Sequence, residues 1–235
     1  SEHGDQPFVD DDANVLVCNG EIYNYDSIYM DLKIEPSLSS SDCEVLLHLL
    51  KERSPFRAFR MVDGVFASVS YIDKKITVAR DPIGVRPLFM AFEEGSTVPF
   101  AFASEARSLI PLSNIIHQFP PGHYYTEKTG FISYFETLTR PIVYTHSFDR
   151  EVTMSHTFEI LKDAVKKRIL NSDRPIGCFL SGGLDSSIVC ALSKQFADKY
   201  NKNLTFFTIG LENHHSPDVA AARRVADYLN TELVE

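Results

Sequence analysis

Phe179-Leu180-Ser181-Gly182-Gly183-Leu184-Asp185-Ser186-Ser187 is the stretch from which the rest of the chain can be read. An apolar run, Ile176-Gly177-Cys178-Phe179-Leu180, precedes it and is long enough for a buried strand. After it, Ser187-Ile188-Val189-Cys190-Ala191-Leu192-Ser193-Lys194-Gln195-Phe196 repeats apolar side chains at helical spacing. The pattern predicts strand, tight loop, helix. Gly182 and Gly183 let the backbone turn sharply and approach a ligand closely. Ser186 and Ser187 fall where a new helix exposes its first free N–H groups, and such a terminus attracts phosphate. Asp185 would repel phosphate, but a carboxylate beside a phosphate site commonly holds Mg²⁺, which bridges the two. No Gly-Lys-Ser/Thr follows the glycines, so this is not a Walker A loop. The bland alternative is a glycine turn; two serines and an aspartate in the order a phosphate site needs weigh against it.

Instead the loop resembles the Ser-Gly-Gly-x-Asp-Ser pyrophosphate loop of enzymes that adenylate a substrate with ATP. Composition sets the surrounding bounds. The chain has 235 residues, 44% hydrophobic and 23% charged, which suits one large globular domain or two modest ones. A net charge of −9 argues against nucleic acid as the main partner. No apolar run approaches the roughly 20 residues that span a bilayer, so no membrane partner is expected. The acidic, polar N-terminus does not read as a signal peptide. Cys18, Cys43, Cys178 and Cys190 show no Cys-x-x-Cys pairing, so they read as buried thiols in a reducing, cytoplasmic compartment rather than a zinc site.

Working outward to the N-terminal side, Val15-Leu16-Val17-Cys18 predicts a strand running into Asn19-Gly20-Glu21-Ile22-Tyr23-Asn24. A helix with Ile28 and Leu32 inward should follow. Ser39-Ser40-Ser41-Asp42 offers N-cap residues for a helix over 43–50. His48 is lone and reads as structural or exposed. From 63 to 135 the pattern turns to period two. Strands are expected at 65–72, 76–80, 85–92, 99–103, 122–126 and 131–135, an antiparallel, α+β pattern. Residues 137–154 have no period and read as a linker. A helix from Ser155 carries Phe158, Leu161, Val165 and Ile169 on one face. Beyond the loop come a strand at 204–209, a helix opened by Ser216-Pro217 with the stripe Val219, Ala222, Ala226 and Leu229, and a strand from Thr231. Strands alternating with helices imply a parallel sheet, in which ligands bind beyond the strands' carboxyl ends.

Three stretches occur together in glutamine-dependent asparagine synthetases: Asn19-Gly20-Glu21-Ile22-Tyr23-Asn24, Arg80-Asp81-Pro82-Ile83-Gly84-Val85-Arg86-Pro87-Leu88-Phe89, and residues 180–187. Gly4-Asp5-Gln6-Pro7, Ser41-Asp42-Cys43-Glu44, Ala103-Ser104-Glu105-Ala106 and Phe207-Thr208-Ile209-Gly210-Leu211 add to the resemblance. It implies a class II glutamine amidotransferase domain over 1–140, an incomplete Ntn-type αββα sandwich. An adenine nucleotide α-hydrolase-like, ATP-pyrophosphatase domain over 155–235 would follow, also incomplete. Its partners would be glutamine, aspartate and ATP, with Mg²⁺ as cofactor and a homodimer left open. Glutamine would release ammonia, aspartate would be adenylated to β-aspartyl-AMP, and ammonia would displace AMP to give asparagine. The resemblance puts the oxyanion hole at Asn19 and Gly20, and glutamine contacts at Asn19, Gly20, Glu21 and Asp42. ATP contacts fall on Leu180, Ser181, Gly182, Gly183, Leu184, Asp185, Ser186, Ser187 and Ile209, with Asp185 on the metal.

Other readings stay open residue by residue. Asn19-Gly20 is also a turn pair, Asp42 an N-cap, Arg80-Asp81 a strand end with an internal ion pair, and Ile209 a core strand residue. The family's nucleophile is a cysteine at the mature N-terminus, well upstream of Asn-Gly-Glu. Ser1 stands too close to Asn19 to match it, and Cys18 should lie inside a strand. The expectation is therefore a piece of such a synthetase, cut at both ends and inactive alone. The alternatives are a related adenylating amidotransferase with another acceptor, such as a β-lactam synthetase, or a non-catalytic binding module.

Overall fold

In a computed structural model, residues 5–35, 41–135, 149–211 and 216–235 are described. Contacts divide the chain into two compact units, residues 1–142 and 143–235.

In the first unit, β1 (Phe8–Val9), β2 (Val15–Ile22), β3 (Gly64–Ile72), β4 (Lys75–Arg80), β8 (His123–Thr126) and β9 (Gly130–Ser133) form one sheet in that order, antiparallel throughout. A second antiparallel sheet has β5 (Phe89–Phe92) between β6 (Pro99–Ala103) and β7 (Ile115–Gln118). The period of two decides the layers. Phe66, Ala79 and Tyr124 point into a core with helices α1 (Tyr25–Leu32), α2 (Val45–Glu52) and α3 (Pro55–Met61). Their neighbours Ala67, Val78 and Tyr125 point the other way, against Leu88, Met90, Phe92 and Phe119. The described residues thus supply helices, sheet and sheet, three layers of the expected sandwich. Phe59 of α3 locks the first core, stacked 5.9 Å from Phe66 and also touching Tyr124 and Tyr134.

In the second unit, β10 (Ile176–Phe179), β11 (Leu204–Phe207) and β12 (Leu233–Val234) are parallel neighbours. Helices α5 (Leu184–Tyr200) and α6 (Pro217–Leu229) make the crossovers and share a core through Leu180, Cys190, Phe206, Ala222 and Ala226. Helix α4 (Arg150–Asn171) packs on α5 through Val165, Ile169, Leu192 and Phe196. Among the described residues no sheet contains strands of both units, and the first unit's sheets are antiparallel while the second unit's is parallel, as expected.

Several boundaries moved. Helix α4 begins at Arg150 rather than Ser155, because Asp149 caps it by accepting from the Glu151 and Val152 amides. Residues 137–148 of the expected linker lie outside the described residues, as do Ser39 and Ser40. The helix expected over 43–50 is a 3₁₀ turn (Asp42–Glu44) followed by α2. Strand β5 starts at 89, not 85, because the preceding backbone wraps a buried side chain described below. Strand β11 stops at Phe207, so Ile209 is not a core strand residue; it lies beyond the strand, 83% exposed. Three of the cysteines are buried as expected, but Cys178 is only half-buried.

Candidate functional site

In the first unit the candidate residues gather at the end of β2. Asn19, Gly20 and Glu21 pair with Ala67, Phe66 and Val65 of β3, so the Asn-Gly pair lies in a strand rather than a turn. Gly20 is there because nothing larger fits: a Cβ would stand 2.4 Å from the Val65 carbonyl oxygen. The Gln6 side chain extends the ladder by one rung. Its amide nitrogen donates to Cys18 O and its oxygen accepts from Cys18 N, each at 2.7 Å. Cys18 is 3% exposed within β2, in the strand position expected of it.

Asp42 meets this strand from the 3₁₀ turn. Its carboxylate accepts a short hydrogen bond from Ile22 N, so it ties the turn to β2 and caps no helix of its own. Burial raises its carboxyl above the ordinary value of 3.8, while amide donors at Ile22, Asp42 and Cys43 work to lower it. Glu21 and Asp42 both bear on the Cys43 thiol, which places the two carboxylates in one neighbourhood. Asn19 Nδ2 reaches Ser104 Oγ at 3.5 Å. Ser104 was legible only as part of a matched motif, because 85 residues separate it from Asn19. Asn24 is a brace: its amide donates to Met61 O and accepts from Asp63 N. His48 lies 5.9 Å from the Tyr29 ring, and its Nε2 is buried without a hydrogen-bond partner.

Arg80 and Asp81 turn away from each other. The guanidinium donates to the carbonyls of Arg86, Phe119 and Gly84 at 2.7–2.8 Å. The Asp81 carboxylate, 1% exposed, accepts from the amides of Phe66, Ile83, Gly84, Val85 and Arg86. The expected internal ion pair is replaced by two side chains that each saturate backbone groups. This explains why 85–88 cannot join β5.

In the second unit, residues 180–183 join β10 to α5 and 184–187 form the first turn of that helix, so the helix begins inside the expected loop 181–187. Gly182 has φ +78°, a left-handed conformation open to glycine, and its missing Cβ leaves room for α6. The hydroxyls brace the loop: Ser181 Oγ lies 3.0 Å from Ser186 Oγ, and Ser187 Oγ donates to Gly183 O at 2.7 Å. Gly183, the N-cap, offers no side chain to the first turn of α5. The N–H groups of that turn therefore face outward with the positive end of the helix dipole. Asp185 is exposed in the same turn. Leu180 is 1% exposed, with its N–H bonded to Phe207 O, so its side chain belongs to the core. Among the described residues no cluster of three or more His, Cys, Asp or Glu could hold a metal alone. A cation here would rest on Asp185 plus ligand phosphates, the usual arrangement for Mg²⁺.

Two family models cover this geometry: a glutamine amidotransferase domain over residues 1–111 and asparagine synthase over 157–235. Among curated proteins, a probable glutamine-hydrolysing asparagine synthetase of Schizosaccharomyces pombe is 38% identical, over 98% of this chain and 44% of its own length. The maize enzyme is 37% identical over 97% of this chain and 39% of its own. Arabidopsis thaliana asparagine synthetase 3 is 38% identical over 97% and 40%. The chain belongs to the glutamine-hydrolysing asparagine synthetase family. It spans about two-fifths of the length of those relatives. Among solved structures, glutamine phosphoribosylpyrophosphate amidotransferase from B. subtilis aligns with 93% of this chain and 52% of its own, at 18% identity and TM-score 0.46. Among the described residues no helix is long and apolar enough to cross a membrane.

Proposed function

We propose that this chain carries the glutamine-binding and pyrophosphate-binding regions of an ATP-dependent asparagine synthetase. Residues 1–140 are read as the amidotransferase domain and 155–235 as the ATP-pyrophosphatase domain. The observation that carries the reading is the uncapped N-terminus of α5, with Asp185 in its first turn behind the left-handed Gly182.

In the first unit, Asn19 Nδ2 and the Gly20 backbone would meet the oxyanion that forms when the glutamine amide is attacked. Glu21 and Asp42 would hold the substrate's α-ammonium and amide groups. In the second, the amides of 183–186 and the hydroxyls of Ser181, Ser186 and Ser187 would hold the pyrophosphate portion of ATP. Bound Mg²⁺ would neutralise phosphate charge, with Asp185 as its protein ligand. The Ile209 backbone, exposed past the end of β11, would be free to meet adenine. The acceptor is read as aspartate from family membership alone. A cytoplasmic setting goes with the reading, and the four free thiols support it.

Binding to the chain itself tests this. Calorimetric titration should show L-glutamine binding that Asp42→Ala abolishes and Asp185→Asn leaves intact. Mg-ATP binding should respond in the opposite way. Asp42 must be ionised to hold an ammonium group. Glutamine affinity should therefore fall with decreasing pH at a midpoint above 3.8, since burial raises this carboxyl. Loss of both ligands in either variant would mean general unfolding, and loss of neither would remove the assigned roles.

A further inference from the structure

The two cysteines of the second unit bracket the loop. Cys178 is the penultimate residue of β10, and Cys190 is in the second turn of α5. Both side chains lie on the face of the sheet that α5 and α6 cover. The two thiols are close enough to influence each other, and Cys190 Sγ lies 3.7 Å from the carbonyl oxygen of Phe179, the residue after Cys178. The pair is unequal: Cys190 is fully buried, whereas Cys178 is half-buried. The neighbouring Cys190 thiol and the Ser193 hydroxyl hold the Cys178 thiol below its ordinary range, against burial that would raise it. A half-buried thiol with a lowered pKa beside a second, buried thiol is the arrangement of a peroxide-reactive dithiol.

We propose that Cys178 and Cys190 are a peroxide-sensitive pair whose disulfide ties the end of β10 to α5 across loop 181–187. The Cys178 thiolate attacks one oxygen of a hydroperoxide such as hydrogen peroxide. The O–O bond breaks, leaving Cys178 sulfenic acid and hydroxide. The Cys190 sulfur then attacks the sulfenyl sulfur, the S–S bond forms and the S–O bond breaks. The departing oxygen leaves as water with the Cys190 proton. Together the sulfurs lose two electrons, which reduce hydrogen peroxide to one water and one hydroxide; the hydroxide becomes water by taking up the proton that Cys178 released on ionising. In a reducing compartment the bond is transient and reversible by thiols.

The chain holds its own comparison. Cys18 and Cys43 also share a core and influence each other, but each is 3% exposed. The bond to Cys18, burial, and the charges of Asp42 and Glu21 push the Cys43 thiol up. That pair is closed to solvent, its Cys43 thiol is held protonated, and it stays reduced.

The experiment exposes the reduced chain to hydrogen peroxide, alkylates it while unfolding, and maps tryptic peptides by mass. Cleavage leaves both loop cysteines in peptide 169–194, since Arg174 precedes a proline. That peptide should be lighter by two hydrogens and carry no alkyl group, and dithiothreitol should reverse the change. Cys18 and Cys43 should alkylate fully. Alkylation of Cys178 and Cys190 after oxidation overturns the proposal, as does sulfinic acid at Cys178 beside alkylated Cys190, or a bond between chains. Hydrogen exchange in residues 181–187 should slow in the oxidised chain; unchanged or faster exchange would overturn the clamp. Neither readout needs a nucleotide, so failure of the ATP reading leaves this test intact.

Discussion

Asp81→Ala should loosen the first unit by about 4 kcal/mol, seen as amide exchange in β3 and β4 accelerated about 10³-fold. One buried carboxylate accepts from five backbone amides, contributed by β3 and by the wrapped segment 83–86. Alanine removes every acceptor at once. A buried donor left unsatisfied costs about 1–3 kcal/mol, and water entering the vacated site would recover part of the total. Asp81 N also donates to Phe66 O, so the residue joins the end of β4 to β3 through main chain and side chain together. Asp81→Asn should fall between, because one oxygen remains while the new NH₂ faces donors. Exchange is the suitable probe because it reports each unit separately, where a single unfolding energy for the chain would be ill-defined. Acceleration below tenfold in β3 and β4 would mean that the segment holds its shape without the carboxylate.

The contrast between the Asp81 wrap and loop 181–187 shows what sequence can carry. Loop 181–187 was legible because its information is local: a strand period, two glycines, then a helical period, all within two dozen residues. The antiparallel strands of the first unit were legible from alternation, since each strand buries one set of side chains toward helices and the other toward the second sheet. The Arg80-Asp81 pair misled because adjacent opposite charges suggest each other. The carbonyls and amides that actually claim them, at Phe119, Gly84, Arg86 and Phe66, have no signature in composition.

Asp42 misled in the same way. A serine-rich run followed by aspartate predicts a cap, yet the carboxylate serves a strand 20 residues earlier. Strands β1 and β7 and helix α3 went unseen because each is short and is fixed by its neighbours. Pro55 does begin α3 at a favourable first position, but the two turns that follow carry little periodicity. Among the candidate residues, Asn19, Gly20 and Glu21 were traceable as a motif. That Ser104 would meet Asn19 depends on how two sheets stack, which no window of sequence contains.

Gly182→Ala should disable the second unit's loop, while Gly183→Ala should be tolerated. The two glycines are adjacent in sequence and opposite in physical situation. Gly182 has φ +78°, where an L-residue costs roughly 1–2 kcal/mol. Its Cβ would also stand 2.4 Å from Ala221 Cβ and 2.6 Å from the backbone of Ala221 and Ala222. Those are α6 atoms, and Ala222 is fully buried, so the helix cannot simply yield. Overpacking of this kind costs about 1–3 kcal/mol, giving about 2–5 kcal/mol together. Gly183 has φ −72°, and an added Cβ would meet only Ser181 Oγ, at 3.5 Å. Alanine there gives up a favourable N-cap residue, a loss of about 1 kcal/mol or less. Exchange at β11 and α6 amides should therefore accelerate strongly in the first variant and little in the second. Mg-pyrophosphate affinity should fall about 10²-fold in Gly182→Ala, the scale set by misplacing binding groups by about 1 Å. Equal effects of the two substitutions on exchange would show that contact with α6 does not set the loop. In that case the left-handed turn would have to be held by the serine hydroxyls, and Ser186→Ala would become the damaging change.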